Sequence, residues 1–157
     1  MTLLGVIKTI VPMWLLTVMP DGSHAQQPGG IAPAALALIG DAIPASLTGT
    51  SGDMARGRVI VLDRANGNCL ICHHVPVGSE PFQGDIGPDL SGVGARLSEG
   101  QIRLRLVDQS RLNPATMMPP FYRVSDLTRV AQRYRGATVL SSAEIEDVVA
   151  YLVTLKD

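Results

Sequence analysis

Cys69-Leu70-Ile71-Cys72-His73 is the stretch that decides how this chain folds. Two cysteines three positions apart, followed at once by a histidine, form the C-x-x-C-H pattern of c-type haem attachment. On one turn of helix both thiols can add to the two vinyl groups of one porphyrin, and the adjoining imidazole is then held beneath the iron. The pattern predicts one covalent haem c, with Cys69 and Cys72 as attachment points and His73 as an axial ligand.

Three other interpretations of the two cysteines stay open. A redox-active dithiol uses the same spacing, but the chain lacks the alternating strand and helix pattern of a thioredoxin-like fold. A zinc site needs four ligands, and beyond residue 25 the chain offers two cysteines, His73 and His74, with no second cluster. A structural disulfide leaves the histidine without a role. Haem attachment uses both cysteines and the histidine.

Length and composition restrict the class of protein. The 157 residues suit one domain, and a formal net charge of −1 gives no overall field for nucleic acid or an anionic membrane. Two cysteines exclude a disulfide-rich scaffold. Aromatic residues make up only 4% of the chain. The core therefore depends on aliphatic side chains, or on a large apolar group that the sequence does not encode.

Residues 1–25 are predicted to be a cleaved signal peptide. Lys8 precedes an apolar run from Thr9 to Met19 that is too short to span a bilayer. Ser23-His24-Ala25 supplies small residues at the two positions that a signal peptidase reads, which places cleavage after Ala25. An uncleaved N-terminal anchor is the alternative. Cleavage predicts an exported chain, and hence a periplasmic protein.

The rest of the chain divides into an arm and a helical domain. Residues 26–52 are rich in Ala, Pro and Gly and predict an extended arm, whose apolar residues are too many for a solvated linker. Residues 53–157 predict an all-α domain with long loops, because no strand pattern persists. Helices are expected over 53–63, 98–111 and 141–155, with a short one over 127–134. Capping boxes support two of them, Ser98 with Gln101 and Ser141 with Glu144.

The second axial ligand is expected to be a methionine, since the neighbouring histidine cannot reach the opposite face of the ring. A thioether favours Fe(II) and raises the reduction potential. Met54 precedes the motif on a helix and is expected to pack in the core. Met117 and Met118 lie 44 and 45 residues after His73. Met118 is favoured because it adjoins Pro119, and Met117 stays the alternative.

A loop after the motif offers a hydrogen-bond acceptor for the ligating histidine. In Gly87-Pro88-Asp89-Leu90 the carbonyl of Pro88 can accept from the ring nitrogen that does not bind the metal. An ordinary turn is an equally good interpretation of this stretch.

Positive charge is concentrated in the second half of the chain. Between Arg96 and Arg135 there are eight arginines and three acidic residues, a net charge of +5. One interpretation is a docking face for an acidic partner. Another assigns Arg103 or Arg123 to the haem propionates. A solvated helix face explains at least part of the set.

Taken together, these motifs resemble those of the class I cytochromes c, and among them the SoxX family of mono-haem cytochromes. The resemblance runs from about residue 40 to the end of the chain. It rests on five stretches: Gly40-Asp41-Ala42-Ile43-Pro44, residues 67–73, residues 84–90, Met118-Pro119-Pro120-Phe121-Tyr122-Arg123 and residues 146–152.

The resemblance implies a function and a set of site residues. SoxX pairs with SoxA, a haem subunit whose haem-ligating cysteine carries a persulfide, and the pair joins thiosulfate to a cysteine of the SoxYZ carrier protein. Electrons leave through the SoxX haem to a small soluble cytochrome. His73 and Met118 are then the axial ligands, Cys69 and Cys72 the attachment points, and Pro88 the carbonyl partner of His73. The chain is enzymatic only as part of the complex, of the L-cysteine S-thiosulfotransferase type.

Two other functions remain open. A free-standing periplasmic electron shuttle needs no partner subunit, and it leaves the apolar arm without a surface to cover. A haem-based sensor requires an open or labile sixth position on the iron.

Overall fold

The computed structural model describes residues 36–78 and 80–157. The predicted signal peptide and residues 26–35 of the arm lie outside the described residues. Within the described ranges no helix is long and apolar enough to cross a membrane. The four α-helices there are α1 (Met54–Leu62), α2 (Val93–Arg96), α3 (Glu99–Asp108) and α4 (Ser142–Leu152).

Short 3-10 turns and loops connect these helices. The turns lie at Cys69–Ile71, Gln109–Arg111 and Gln132–Tyr134. The β structure of the described chain amounts to one isolated bridge between Ile39 and Ala42. The predicted all-α class with long loops is confirmed.

Side-chain caps fix where three of the helices begin. Asp53 accepts a hydrogen bond from the backbone N–H of Arg56 at the start of α1. Both predicted capping boxes are present, at Ser98 before α3 and at Ser141 before α4. Each box satisfies backbone donors that the first turn of a helix leaves unpaired. The predicted helices over 53–63 and 98–111 are confirmed, the second with its last turn in the 3-10 form.

Two sequence-based expectations about helix position and core packing are wrong. The helix expected over 127–134 is reduced to the turn at Gln132–Tyr134, because Asp126 and Arg129 have φ values of 56° and 57°, in a region that a helix does not use. Met54 was expected in the core but is 60% exposed. At the start of α1 the contact with α4 is made instead by the cap residue Asp53 and by Arg56, which both bond to Asp147.

Helices α1 and α4 cross at very close range. The backbone of Gly57 lies directly against the carbonyl of Asp147, so that a Cβ at this position would overlap the carbonyl oxygen. The carboxylate of Asp147 receives the backbone N–H of Asp53 at 2.6 Å and the guanidinium of Arg56 at 2.7 and 2.9 Å. The guanidinium of Arg56 and the bond from Asp53 hold the pKa of Asp147 below its usual value.

The buried core is largely aliphatic, as the composition predicts. Phe121, Tyr122 and Tyr151 are its aromatic members. The aliphatic members come from the arm, all four α-helices and the intervening loops: Ile43, Leu47, Val61, Leu70, Val75, Val93, Ile102, Leu104, Leu106, Val107, Leu140, Ile145, Val148, Val149 and Leu152.

A buried ion pair fastens the arm to the helices. Arg103 on α3 and Glu146 on α4 each have side chains only 2% exposed, and they form a two-pronged pair with N···O distances of 2.7 and 2.8 Å. Arg103 also donates to the carbonyl of Ile43, and Glu146 accepts the N–H of Leu47. The prediction that Arg103 serves a haem propionate is therefore wrong, because its guanidinium is committed to the arm and to α4.

Gly57→Ala is expected to lower the free energy of unfolding by about 1–3 kcal/mol, since the added methyl group forces α1 away from α4. Gly78→Ala is the matched control, because a Cβ there meets nothing within 4 Å. Chemical denaturation of the two haem-loaded variants measures the difference. Equal stabilities would show that the helix crossing tolerates a side chain.

Glu146→Ala is expected to destabilise the protein by about 3–5 kcal/mol, because it removes the buried counter-charge of Arg103 and leaves only the exposed Glu99 at 3.8 Å. Replacing both partners, Arg103→Met with Glu146→Leu, removes the stranded charge and is expected to cost less. Thermal and urea unfolding of the single and double variants provide the comparison. A double variant as unstable as the single would contradict this explanation.

Candidate haem-attachment site

The two cysteines lie on one tight turn. Asn68 enters it with a left-handed backbone (φ 51°), and the 3-10 turn Cys69–Ile71 follows. The backbone N–H groups of Cys72 and His73 both donate to the carbonyl of Cys69, at 3.2 and 3.0 Å. Cys69 and Cys72 form no disulfide, and both are half-buried. The turn therefore presents two thiols and an imidazole from a span of five residues.

His73 is oriented by the loop that follows the motif. Its Nδ1 lies 2.7 Å from the carbonyl oxygen of Pro88. A carbonyl can only accept, so Nδ1 carries the proton and Nε2 keeps the lone pair that binds a metal. Gly87 makes this approach possible, because a Cβ there would press on the imidazole ring.

Backbone hydrogen bonds hold this loop against the attachment turn. Gly84 donates to Leu70 at 2.8 Å, Gly87 to Cys72 at 2.7 Å and Leu90 to His74 at 2.9 Å. The loop and the turn thus form one unit, and the position of the Pro88 carbonyl is set by the same segment that carries the cysteines.

His74 has a partner of its own away from the site. Its Nδ1 lies 3.1 Å from a carboxylate oxygen of Asp89, and both side chains are more than half exposed. Hydrogen bonds from Ser91, and then the contact with His74, lower the pKa of Asp89 to about 2. This arrangement agrees with the expectation that His74 is a surface neighbour of the ligand.

The two candidate methionines differ sharply in burial. Met118 is half-buried and packs against the hydrophobic core. Met117 is 74% exposed. Adjacent side chains in an irregular extended segment point to opposite sides. The burial pattern favours Met118 as the second ligand, and the ligand assignment remains a prediction.

Burial of the first cysteine counts against a dithiol oxidoreductase. Desolvation raises the pKa of the Cys69 thiol to about 11. Redox-active dithiols need a thiol whose pKa is lowered, because the thiolate is the reacting form. A raised pKa is the opposite of what that chemistry requires.

The residues present fit a covalent haem. Cys69 and Met118 both pack against the hydrophobic core and keep part of their surface accessible, as a thiol and a thioether that hold a haem at the edge of the core would. His73 supplies a nitrogen with the tautomer that iron requires, and Cys69 and Cys72 supply the thiols. When bound, the haem accepts and releases one electron at its iron.

A helical fold built around this attachment turn defines a c-type cytochrome. The cytochrome c family model matches residues 54–156. A chain in the crystal structure of SoxXA from P. pantotrophus matches with a TM-score of 0.75 and 36% sequence identity, covering 82% of this chain and 99% of that chain. Comparison with curated proteins gives no significant match. The chain belongs to the cytochrome c family and within it is a SoxX-type cytochrome, with one covalent haem c and a role in electron transfer.

Sequence reasoning missed the function of the glycines in the loop. Gly84 and Gly87 let the backbone pass directly over Ile71 and the imidazole of His73. The density of glycine and proline between residues 76 and 94 predicts a loop, but it does not show which glycines touch the ligand.

Met118→Ala is expected to convert a low-spin visible spectrum to a high-spin one, because the iron loses a strong-field sixth ligand. Met117→Ala is the matched control and is expected to leave the spectrum unchanged, since that side chain faces solvent. Absorption spectra of the two purified proteins decide between them. The reverse result would assign the ligand to Met117, and no change in either would indicate a sensor-like open site.

Proposed function

We propose that this chain is the electron-accepting subunit of a periplasmic, thiosulfate-oxidising complex, paired with a SoxA-type haem subunit. The observation that carries the proposal is the match to SoxXA over 99% of the matched chain, at 36% identity. The predicted signal peptide supports the compartment.

The cysteine content supports a division of labour between the two subunits. The sequence contains two cysteines, and both are used for haem attachment, so no thiol remains to act as a nucleophile. In the reaction of the complex a carrier cysteine, here that of a SoxYZ-type protein, joins thiosulfate through a new S–S bond. One proton and two electrons are released. This chain takes the electrons one at a time and passes them to a small soluble cytochrome.

Apolar side chains around the attachment turn support the presence of a partner. Ile71, Phe82 and Ile86 are all exposed, and Phe82 is 91% exposed with a left-handed backbone (φ 56°). The segment carrying Phe82 is held in place by Arg64, which donates to the carbonyls of Pro81 and Phe82. Exposed aromatic residues in a fixed position are typical anchors of protein interfaces. These three side chains, here called the apolar patch, suit a partner subunit docked beside the haem.

Native purification from the periplasm tests the proposal. We expect a second haem-bearing chain at equal stoichiometry, and reduction of the haem of this chain on addition of thiosulfate and carrier protein. A cytochrome that purifies as a monomer, and that is not reduced when thiosulfate and carrier protein are added, would favour a free-standing electron shuttle.

Phe82→Ser is expected to weaken the association with the SoxA-type partner at least about tenfold, as loss of an interface anchor does. Val59→Ser on α1 is the matched control, since Val59 is another exposed apolar side chain outside the apolar patch. Titration calorimetry of the haem-loaded subunits measures both. Equal affinities for the two variants would place the partner on another surface.

A further inference from the structure

The segment that carries Met118 is anchored near both of its ends. Residues 113–123, here called the methionine segment, contain no helix or 3-10 turn, so their position depends on contacts with other groups. At the start of the segment, the side chain of Asn113 accepts the N–H of Ala115 at 3.0 Å. The hydroxyl of Thr116 accepts the N–H of Met118 itself at 3.1 Å. These two local turns direct the chain towards the methionine.

The end of the methionine segment is attached to the last turn of α3. The N–H of Phe121 donates to the carbonyl of Leu106 at 3.0 Å, which is one of the last carbonyls that a helix leaves without a partner. Two residues further on in each element, the Nε of Arg123 lies 3.4 Å from a carboxylate oxygen of Asp108. Met118 therefore lies between two local turns on one side and two contacts with α3 on the other.

The contact between Asp108 and Arg123 is shielded from solvent. The side chain of Asp108 is 3% exposed and that of Arg123 is 24% exposed. Salt screens the attraction between charges in such positions much less than it does at the surface. The Nε of Arg123 is buried and has no hydrogen-bond partner among the described residues, so the attraction is one of charge. Removal of the carboxylate would leave this nitrogen buried without a counter-charge.

A second arginine contacts Asp108 from outside the methionine segment. The Nε of Arg111 lies 3.7 Å from the same carboxylate oxygen, and the side chain of Arg111 is 41% exposed. The other carboxylate oxygen accepts the N–H and the hydroxyl of Ser110 at 3.2 and 2.5 Å. One oxygen thus fixes the 3-10 turn after α3, and the other faces both arginines. Of these two arginines, Arg123 is the one that belongs to the methionine segment.

We propose that the Asp108–Arg123 pair keeps the sixth position of the haem iron closed, by holding the methionine segment against α3 with the thioether of Met118 as ligand. Both are positioning residues, because they act through Met118. A closed sixth position excludes small exogenous ligands and restricts the haem to electron transfer. The inference rests on the assignment of Met118 as ligand and does not depend on the partner subunit.

The strength of this restraint can be measured with an exogenous ligand. Such a ligand binds only when the methionine segment has moved away, so its apparent affinity rises in proportion to the population of that open state. Loss of the contact with α3 increases this population. A tenfold increase corresponds to about 1.4 kcal/mol.

The test is titration of imidazole into the oxidised, haem-loaded chain, followed by visible absorption. Arg123→Gln and Asp108→Asn are each expected to bind imidazole at least about tenfold more tightly than the natural chain, because the open state is more populated. Asparagine keeps an acceptor for the N–H of Ser110. Arg111→Gln is the matched control. It removes an arginine from the same carboxylate without altering the methionine segment, and it is expected to bind imidazole as the natural chain does.

Two further variants separate this role from a general effect on stability. Gly57→Ala loosens the crossing of α1 and α4, and it is expected to lower the free energy of unfolding while leaving the imidazole affinity unchanged. Arg123→Lys keeps the positive charge and is expected to recover part of the natural resistance to imidazole.

Three results would overturn the inference: an unchanged imidazole affinity in Arg123→Gln, an equal rise in Arg111→Gln or Gly57→Ala, or a rise in Arg123→Gln that Asp108→Asn does not share. A low-spin spectrum retained by Met118→Ala would overturn the ligand assignment and this inference with it. The proposed function is measured separately, as thiosulfate-dependent haem reduction in the presence of the partner and the carrier. Its failure would leave the imidazole result unaffected.

Discussion

The hydrogen bond from the His73 imidazole to the carbonyl of Pro88 is the constraint around which the site is organised. It fixes the tautomer of the ring and leaves one nitrogen free for iron. Forming it requires a loop that approaches the ring without a side chain, which Gly87 provides. It also requires that the loop keep a fixed position relative to the attachment turn. Backbone hydrogen bonds from Gly84, Gly87 and Leu90 to that segment provide this.

The remainder of the fold is held by two adjacent acidic residues of α4. Glu146 receives Arg103 and the backbone of the arm, and Asp147 receives Arg56 and the start of α1. Three segments distant in sequence are thereby fixed to one turn of a single helix. Each carboxylate accepts more than one hydrogen bond, which makes their burial tolerable.

Local signals predicted much of this structure. The attachment motif, the two capping boxes and the helix over 53–63 depend on residues within a few positions of one another, where spacing alone determines the geometry. Which arginines are buried in ion pairs and which are exposed depends on long-range contacts. Arg103 meets Glu146 across 43 positions, and no sequence pattern distinguishes it from the exposed Arg133. Met54 was misplaced for the same reason, because the position beside α4 is taken by charged residues that bond to Asp147.

The crossing of α1 and α4 also has a consequence for the order in which the chain matures. Asp53 and Asp147 are joined across 94 positions, so the first helix cannot dock until the last one has been synthesised. Contacts of such long range slow folding, since the intervening chain must close as one large loop. The attachment turn lies inside that loop. Until that loop closes the attachment turn is not packed against the core, so haem attachment can take place on an open chain rather than on a finished fold.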